Sequence, residues 1–161
     1  MHPSIKSMAD LYALHHRILE MTIKGVQEED QFVRPVNKAN SINFIVGHIT
    51  SIRFAIVRML GEQMETPWGD IYDQGKPVLE NSAYPVLSEI LVEWKAIADR
   101  LPALLERATE ELLLSAAPFE GPGQEKNLRG TIAFLLTHEA VHLGQLAYIR
   151  RLLGYSPAFD R

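Results

Sequence analysis

At 161 residues, 47% of them hydrophobic and 22% charged, the chain can bury one substantial core and is too apolar for the composition of a disordered segment. A net charge of −4 offers no basic face for nucleic acid or an anionic membrane surface, and the absence of cysteine excludes disulfides, cysteinyl zinc and a cysteine nucleophile, leaving His, Asp and Glu as metal ligands. Met1 to Lys6 lacks the basic-then-apolar run of a secretory signal, and no uninterrupted apolar stretch approaches the roughly 20 residues of a bilayer span, so the expectation is one cytoplasmic domain with no nucleic-acid or membrane partner.

In chain order, Met8, Leu11, Tyr12, His15, Ile18, Leu19, Thr22 and Val26 recur at steps of three and four and predict a first helix over 7–28, behind a Ser7-to-Asp10 spacing of the capping-box kind. A second helix over 41–60 follows Pro35, with Asn40 or Ser41 as cap, carries Ile42, Ile45, Val46, Ile49, Ile52, Ile56 and Met59, and stops at Gly61. Pro67, Trp68, Gly69, Asp70, Gly75 and Pro77 then break up a connection of about 24 residues, long for a compact domain, with room for one short helical turn.

The third helix opens with Pro85 in its first turn and runs through Ile90, Leu91, Trp94, Ile97, Leu101 and Leu105, with Pro102 as a kink or an early end. Thr109 caps a short helix to Leu114, and Pro118, Gly121, Pro122 and Gly123 make a second connection. Asn127 caps the last long helix, which carries Ile132, Leu135, Leu136, Leu146, Ile149 and Leu153 and stops at Gly154, with Pro157 beyond. Strand signals and internal repeats are absent, so the predicted fold is an all-α four-helix bundle. A 20-residue helix is about 30 Å long, and the first long connection can cross that distance between helices 2 and 3.

His138 and His142 stand four apart on the last helix, one turn from each other on the same face, where both rings reach a common ion. Zinc takes four ligands, and a catalytic site usually draws three of them from the protein, so a third is required. His48 is the candidate, on a stripe with Ile45, Ile52, Ala55 and Met59, while Leu135, His138, His142, Gln145 and Ile149 form a matching stripe. Three inward histidines from facing helices make the open site that bundles carry in their cores. Bland readings stand beside this one: a chance four-residue spacing, or core histidines each satisfied by hydrogen bonds. Three unpartnered buried imidazoles would be costly, whereas one ion satisfies them together. His138-Glu139-Ala140-Val141-His142 also spells the H-E-x-x-H of zinc peptidases. Gln145 and Tyr148 stand where the extended motif needs Gly and His, the only later acid is Asp160, and no strand offers an edge to a peptide, so proteolysis is disfavoured.

These residues resemble the DinB/YfiT-like superfamily of metal-dependent helical bundles. The resemblance covers nearly the whole chain and rests on Gly47-His48-Ile49 in helix 2 and on His138-x-x-x-His142-Leu143-Gly144-Gln145-Leu146 in the last helix, followed by Gly154. It implies that His48, His138 and His142 are the metal-binding histidines, that helices 2 and 3 are joined by a long crossover, and that the protein is a homodimer. Activities implied are transfer of low-molecular-weight thiols and thiol-dependent isomerisation, many members having no assigned reaction. Val141 precedes the second motif histidine, where relatives often carry histidine or a polar residue, so the resemblance implies a less polar surrounding for the ion here.

Further residues carry paired readings. Gly144 marks either the close approach of a backbone or ligand or a tolerated packing glycine. Gln145 is a candidate to hydrogen-bond a histidine nitrogen or a bound water, in preference to a solvated amide. Glu139, about 100° around the helix from His138, is no obvious ligand; it is a candidate to orient a neighbour or accept a proton, with a surface or interhelical ion pair favoured. His15 is a satisfied core histidine or approaches the site, His2 and His16 face solvent, and Trp68 and Asp70 anchor the long loop or cover the metal.

The expected chemistry is a divalent ion, Zn²⁺ or Ni²⁺ ahead of Fe²⁺ or Co²⁺, that lowers the pKa of a thiol or water for attack on an electrophilic small molecule: a thiol transferase or a hydrolase. The alternative is a non-catalytic bundle with a structural ion or with histidines that only hydrogen-bond.

Overall fold

The computed structural model describes residues 3–36, 39–73, 76, 79–117, 119 and 125–159. His2, Gly75, Pro77, Pro118, Gly121, Pro122, Gly123 and Asp160, invoked above, lie outside the described residues. The helices are α1 (Pro3–Ile23), α2 (Ile42–Met59), α3 (Leu87–Arg107), α4 (Glu110–Leu114) and α5 (Leu128–Leu152). Single 3₁₀ turns lie at Glu28–Asp30 and Asn81–Ala83. No strand occurs among the described residues; an isolated bridge joins Ala116 to Asn127.

The caps explain most boundaries. The side chains of Ser41, Thr109 and Asn127 accept from the backbone N–H of Phe44, Leu112 and Gly130, satisfying donors that the first turns of α2, α4 and α5 leave free. Helix α1 departs from expectation at both ends. It starts at Pro3, where proline's fixed φ and missing N–H suit a first helical position, so Ser7 lies a turn inside instead of capping. It ends at Ile23 and not at 28 because Gly25 turns the chain with φ +77°. The carbonyls of Thr22 and Lys24 are taken by the guanidinium of Arg150, at 3.0 and 2.7 Å. Helix α3 continues through Pro102 to Arg107.

Helix α1 packs on α3 and α5, and α2 packs on the same two, so α1 and α2 stand diagonally across the core. Contacts between α1 and α5 rise together in number: Tyr12 donates to the Ile132 carbonyl, His15 meets Glu139, and Arg150 reaches Thr22. These helices are therefore parallel. Contacts between α2 and α5 run in opposition, His48 beside His142 and Arg53 on Glu139. Along α2 and α3 the partners again rise together, Ile42 to Ile49 clustering with Leu87 and Ile90, and Ile56 and Val57 with Ile97 and Leu101. Parallel neighbours require a crossover, and residues 60–86 supply it as expected.

Helix α2 is apolar enough by length and composition to cross a membrane, with mean hydropathy 1.3, but 72% of that window is buried against the other helices. Its apolar surface goes into two clusters. One holds Ile5, Phe54, Leu101 and Ile132; the other holds Leu19, Ile45, Trp94 and Leu146.

Between the clusters lies a charged layer. Arg53 is 0% and Glu139 1% exposed. The guanidinium binds the carboxylate in a fork, Nε to Oε2 at 2.8 Å and Nη2 to Oε1 at 2.7 Å. Nη2 also donates to the Tyr12 carbonyl at 2.9 Å, His15 Nδ1 lies 3.0 Å from Glu139 Oε1, and the guanidinium carbon sits 3.9 Å from the centre of the Trp94 ring. Arg53 thus touches all four long helices. Replacing one partner strands the other charge in low dielectric, which costs about 3–5 kcal/mol. Glu139→Ala is therefore expected to lower the thermal midpoint sharply, as followed by circular dichroism.

Candidate metal centre

His48 is carried on the buried face of α2, 6% exposed, while His138 and His142 are half-buried on α5. The ring centroids of His48 lie 5.2 Å from His138 and 5.0 Å from His142, and those of His138 and His142 lie 4.4 Å apart. One ligand atom from each ring falls within 4.8 Å of the other two. The structure thus brings together the three histidines singled out from sequence.

Their second nitrogens set the orientation. His48 Nδ1 lies 2.7 Å from the carbonyl oxygen of Tyr72. A carbonyl only accepts, so Nδ1 carries the proton and Nε2 presents its lone pair to the centre. His142 repeats the arrangement, donating from Nδ1 to Gln145 Oε1 at 2.8 Å. Its Nε2 lies 3.2 Å from Nε2 of His138. Two ligands of a tetrahedral ion with zinc–nitrogen bonds of about 2.0–2.1 Å stand about 3.3 Å apart. Held N–H groups on the far side of each ring are the usual companions of metal-ligating histidines. His138 differs, its buried Nδ1 having no partner among the described residues. The donor set is all nitrogen, neutral and convergent, which fits a divalent transition ion.

Electrostatics agree. Burial lowers the proton affinity of His138, aided by His48, and burial followed by the charges of His138 and His48 brings His142 down to about 4. Neutral imidazole is the ligating form.

Tyr72, absent from the sequence reading, is the residue that aims His48. Its ring lies against α2 where Gly47 has no side chain: a Cβ there would sit 2.3 Å from the ring. Its hydroxyl donates to Asn43 Oδ1 at 2.9 Å, and Trp68 crosses it edge-on at 5.6 Å while donating to Ser51 Oγ. The signal available in sequence was the Gly47-His48 pair, since a glycine on a core stripe of a helix marks a close approach.

Other residues fall as follows. Gln145 is exposed, yet its oxygen engages His142. The hydrogen bonds of Glu139 go to Arg53 and His15, so the interhelical ion pair is its place, and the stripe centred on the core is Ile132, Leu136, Glu139, Leu143 and Leu146. His138 and His142 lie one step around from that stripe, at the edge of the core and not at its centre. His15 is a satisfied core histidine. His16 is not solvent-facing: Trp94 Nε1 donates to its Nδ1 at 2.9 Å and its side chain is 19% exposed. A Cβ on Gly144 would meet no described protein atom within 4 Å, so no approach of another backbone explains it. Trp68 anchors the crossover, and Asp70 pairs at the surface with Lys76.

The DinB superfamily model matches residues 11–146. The chain belongs to the DinB superfamily. Among solved structures this superfamily member is similar to YfiT from Bacillus subtilis, described as a probable metal-dependent hydrolase with an unusual four-helix bundle topology. The similarity has a TM-score of 0.71 at 14% identity and covers 97% of this chain and 91% of that one. No curated protein matches the chain.

Gly47→Ala is expected to push the Tyr72 ring away, costing about 1–3 kcal/mol as an overpacking change and freeing His48 Nδ1 from its carbonyl. Loss of that hydrogen bond is read from the histidine ¹⁵N shifts. The lowered pKa of His142 also fixes a pH dependence. Between the ordinary value of 6.5 and about 4, the unfolded chain takes up a proton that the folded one refuses. The metal-free fold is therefore expected to be most stable above pH 6.5 and to lose stability as pH falls from there toward 4, measured by urea midpoints across that range.

Proposed function

We propose that this DinB-superfamily chain is a metal-dependent enzyme whose ion is held by His48, His138 and His142, acting on an electrophilic small molecule as a hydrolase or a thiol transferase. The observation that carries this is the convergence of three imidazoles with two of their far-side protons already engaged by Tyr72 and Gln145. Zn²⁺ or Ni²⁺ suits an all-imidazole set, with Fe²⁺ and Co²⁺ as further candidates. When bound, the ion would supply Lewis acidity that lowers the pKa of a water or a low-molecular-weight thiol.

The chain's own residues do the rest. The Tyr72 carbonyl holds His48 in one tautomer, and Gln145 does the same for His142, so neither ring must reorganise during turnover. The half-burial of His138 and His142 leaves the centre a side that a small substrate can reach. Phe44 stacks on His48 at 6.1 Å and Phe134 lies 6.2 Å from His138, placing apolar surface at both ends of the site. Those walls favour an uncharged substrate body.

His48→Ala, His138→Ala and His142→Ala are each expected to fall from about one bound ion per chain to almost none with helical content intact, by elemental analysis beside circular dichroism. The wild type with metal restored is expected to turn over one of a panel of activated esters and of thiol-plus-electrophile pairs. Full metal uptake with no metal-dependent turnover on either panel would count against an enzyme.

A further inference from the structure

We infer that the buried Arg53–Glu139 pair is a register clamp, a pair of positioning residues that set how far α2 lies along α5 and so bring His48 level with His138 and His142. The inference rests on the three-histidine metal reading and adds residues that touch none of the three rings through their hydrogen bonds.

The placement is the first reason. Arg53 follows His48 by five residues on α2, and Glu139 is the neighbour of His138 on α5. The ligands are therefore divided between the same two helices that the ion pair joins. The buried hydrophobic residues that flank the pair on these two helices belong to apolar clusters, with Ile45, Val46, Ile49, Leu143, Leu146 and Ile149 in one and Ile56, Val57, Ile132 and Leu135 in the other. Apolar contact is non-directional and tolerates sliding. A forked guanidinium–carboxylate contact with bonds of 2.7 and 2.8 Å does not. A slip of a single residue moves a helix by about 1.5 Å, which breaks both bonds, whereas ligands sharing an ion must be held to within about 0.5 Å.

Economy of stability is the second reason. The clamp is not built for maximal stability, since Arg53 Nη1 is buried with no partner among the described residues. An apolar pair of similar volume would fill the same space without desolvating two charges and without an orphaned donor. What an apolar pair would lack is direction along the helix axis. Here the direction is reinforced on each side, the Tyr12 carbonyl and Trp94 ring holding Arg53, and His15 holding Glu139.

The test compares wild type with Arg53→Met/Glu139→Leu and with Glu139→Gln, in three readouts. These are thermal midpoint of the metal-free protein, zinc affinity by competition with a chromophoric chelator, and NOEs between the His48 and His142 rings in metal-free protein. The double variant is expected to keep or raise the metal-free midpoint, to bind zinc about tenfold to a hundredfold more weakly, and to lose the inter-ring NOEs while keeping those between α1 and α3. The visible spectrum of its Co²⁺ form is expected to change in shape. Glu139→Gln, which keeps the side-chain shape and one acceptor but leaves the Arg53 charge unmatched, is expected to melt below both and to fall between them in zinc affinity and ring NOEs; if the double variant does not fold, its NOEs and affinity decide in the same way. A folded variant with unchanged ring NOEs and unchanged zinc affinity overturns the clamp. So does an affinity loss with wild-type NOEs and Co²⁺ spectrum, which would mark the pair as structural only. If the wild type takes up no zinc, the metal reading fails by itself, and the ring NOEs, which need no metal, still settle the clamp.

Discussion

A guanidinium buried at the centre of a four-helix bundle cannot be left alone, and the rest of this structure is arranged around that demand. Removing Arg53 from water is offset only if a carboxylate, a carbonyl and an aromatic face come to it from different helices. Glu139 comes from α5, the Tyr12 carbonyl from α1 and the Trp94 ring from α3. Apolar clusters on either side contribute most of the burial, but apolar contact is non-directional and specifies position along the helix axis less sharply. The charged layer between them adds direction, because a slip that parts Arg53 from Glu139 strands both charges.

The chain order of the bundle feeds the site in a second way. With α1 and α2 diagonal and α2 parallel to α3, residues 60–86 must travel the length of the molecule to return. That crossover is anchored along the way, through Trp68 on Ser51 and through Tyr72 seated against Gly47. A segment required by topology thereby delivers the carbonyl that orients His48. Tyr72 belongs to the fold and to the site at once: its hydroxyl ties it to Asn43, which in turn bonds Gln31 and the Pro85 carbonyl at the start of α3.

Local chemistry was readable from sequence, and geometry between distant segments was not. Ser41, Thr109 and Asn127 act within three residues of themselves, so their capping could be read directly, as could the stops at Gly61 and Gly154. The three histidines were legible because a four-residue spacing and a second apolar stripe limit where they can point. Arg53 was passed over because a cation in a helix ordinarily lies on the wet face. Its position with Val46, Ile49, Thr50 and Val57, all buried, held the signal, as did that of Glu139 with Leu136, Leu143 and Leu146. Opposite charges on the core stripes of two helices are expensive singly and point to each other. His138 and His142 do turn toward His48, but from the edge of the core, since Glu139 occupies the position that faces its centre. Nothing local in Tyr72 announces its carbonyl as an acceptor, because every residue carries one.

The pairing of Glu139 with Arg53 also bears on what the histidine centre can do. The carboxylate lies beside His138 in sequence, but its charge is matched by the guanidinium and its oxygens are occupied by Arg53 and His15. It is therefore unavailable as a ligand and cancels little of a cation's charge. Neutral imidazoles cancel none. A dication held by three of them would keep its full charge for an approaching group, and the partial burial that brings His142 down to about 4 would also weaken the screening of that charge by water. With an ion bound, the centre would favour an anionic donor over its protonated form, the property on which the proposed activation of water or a thiol depends.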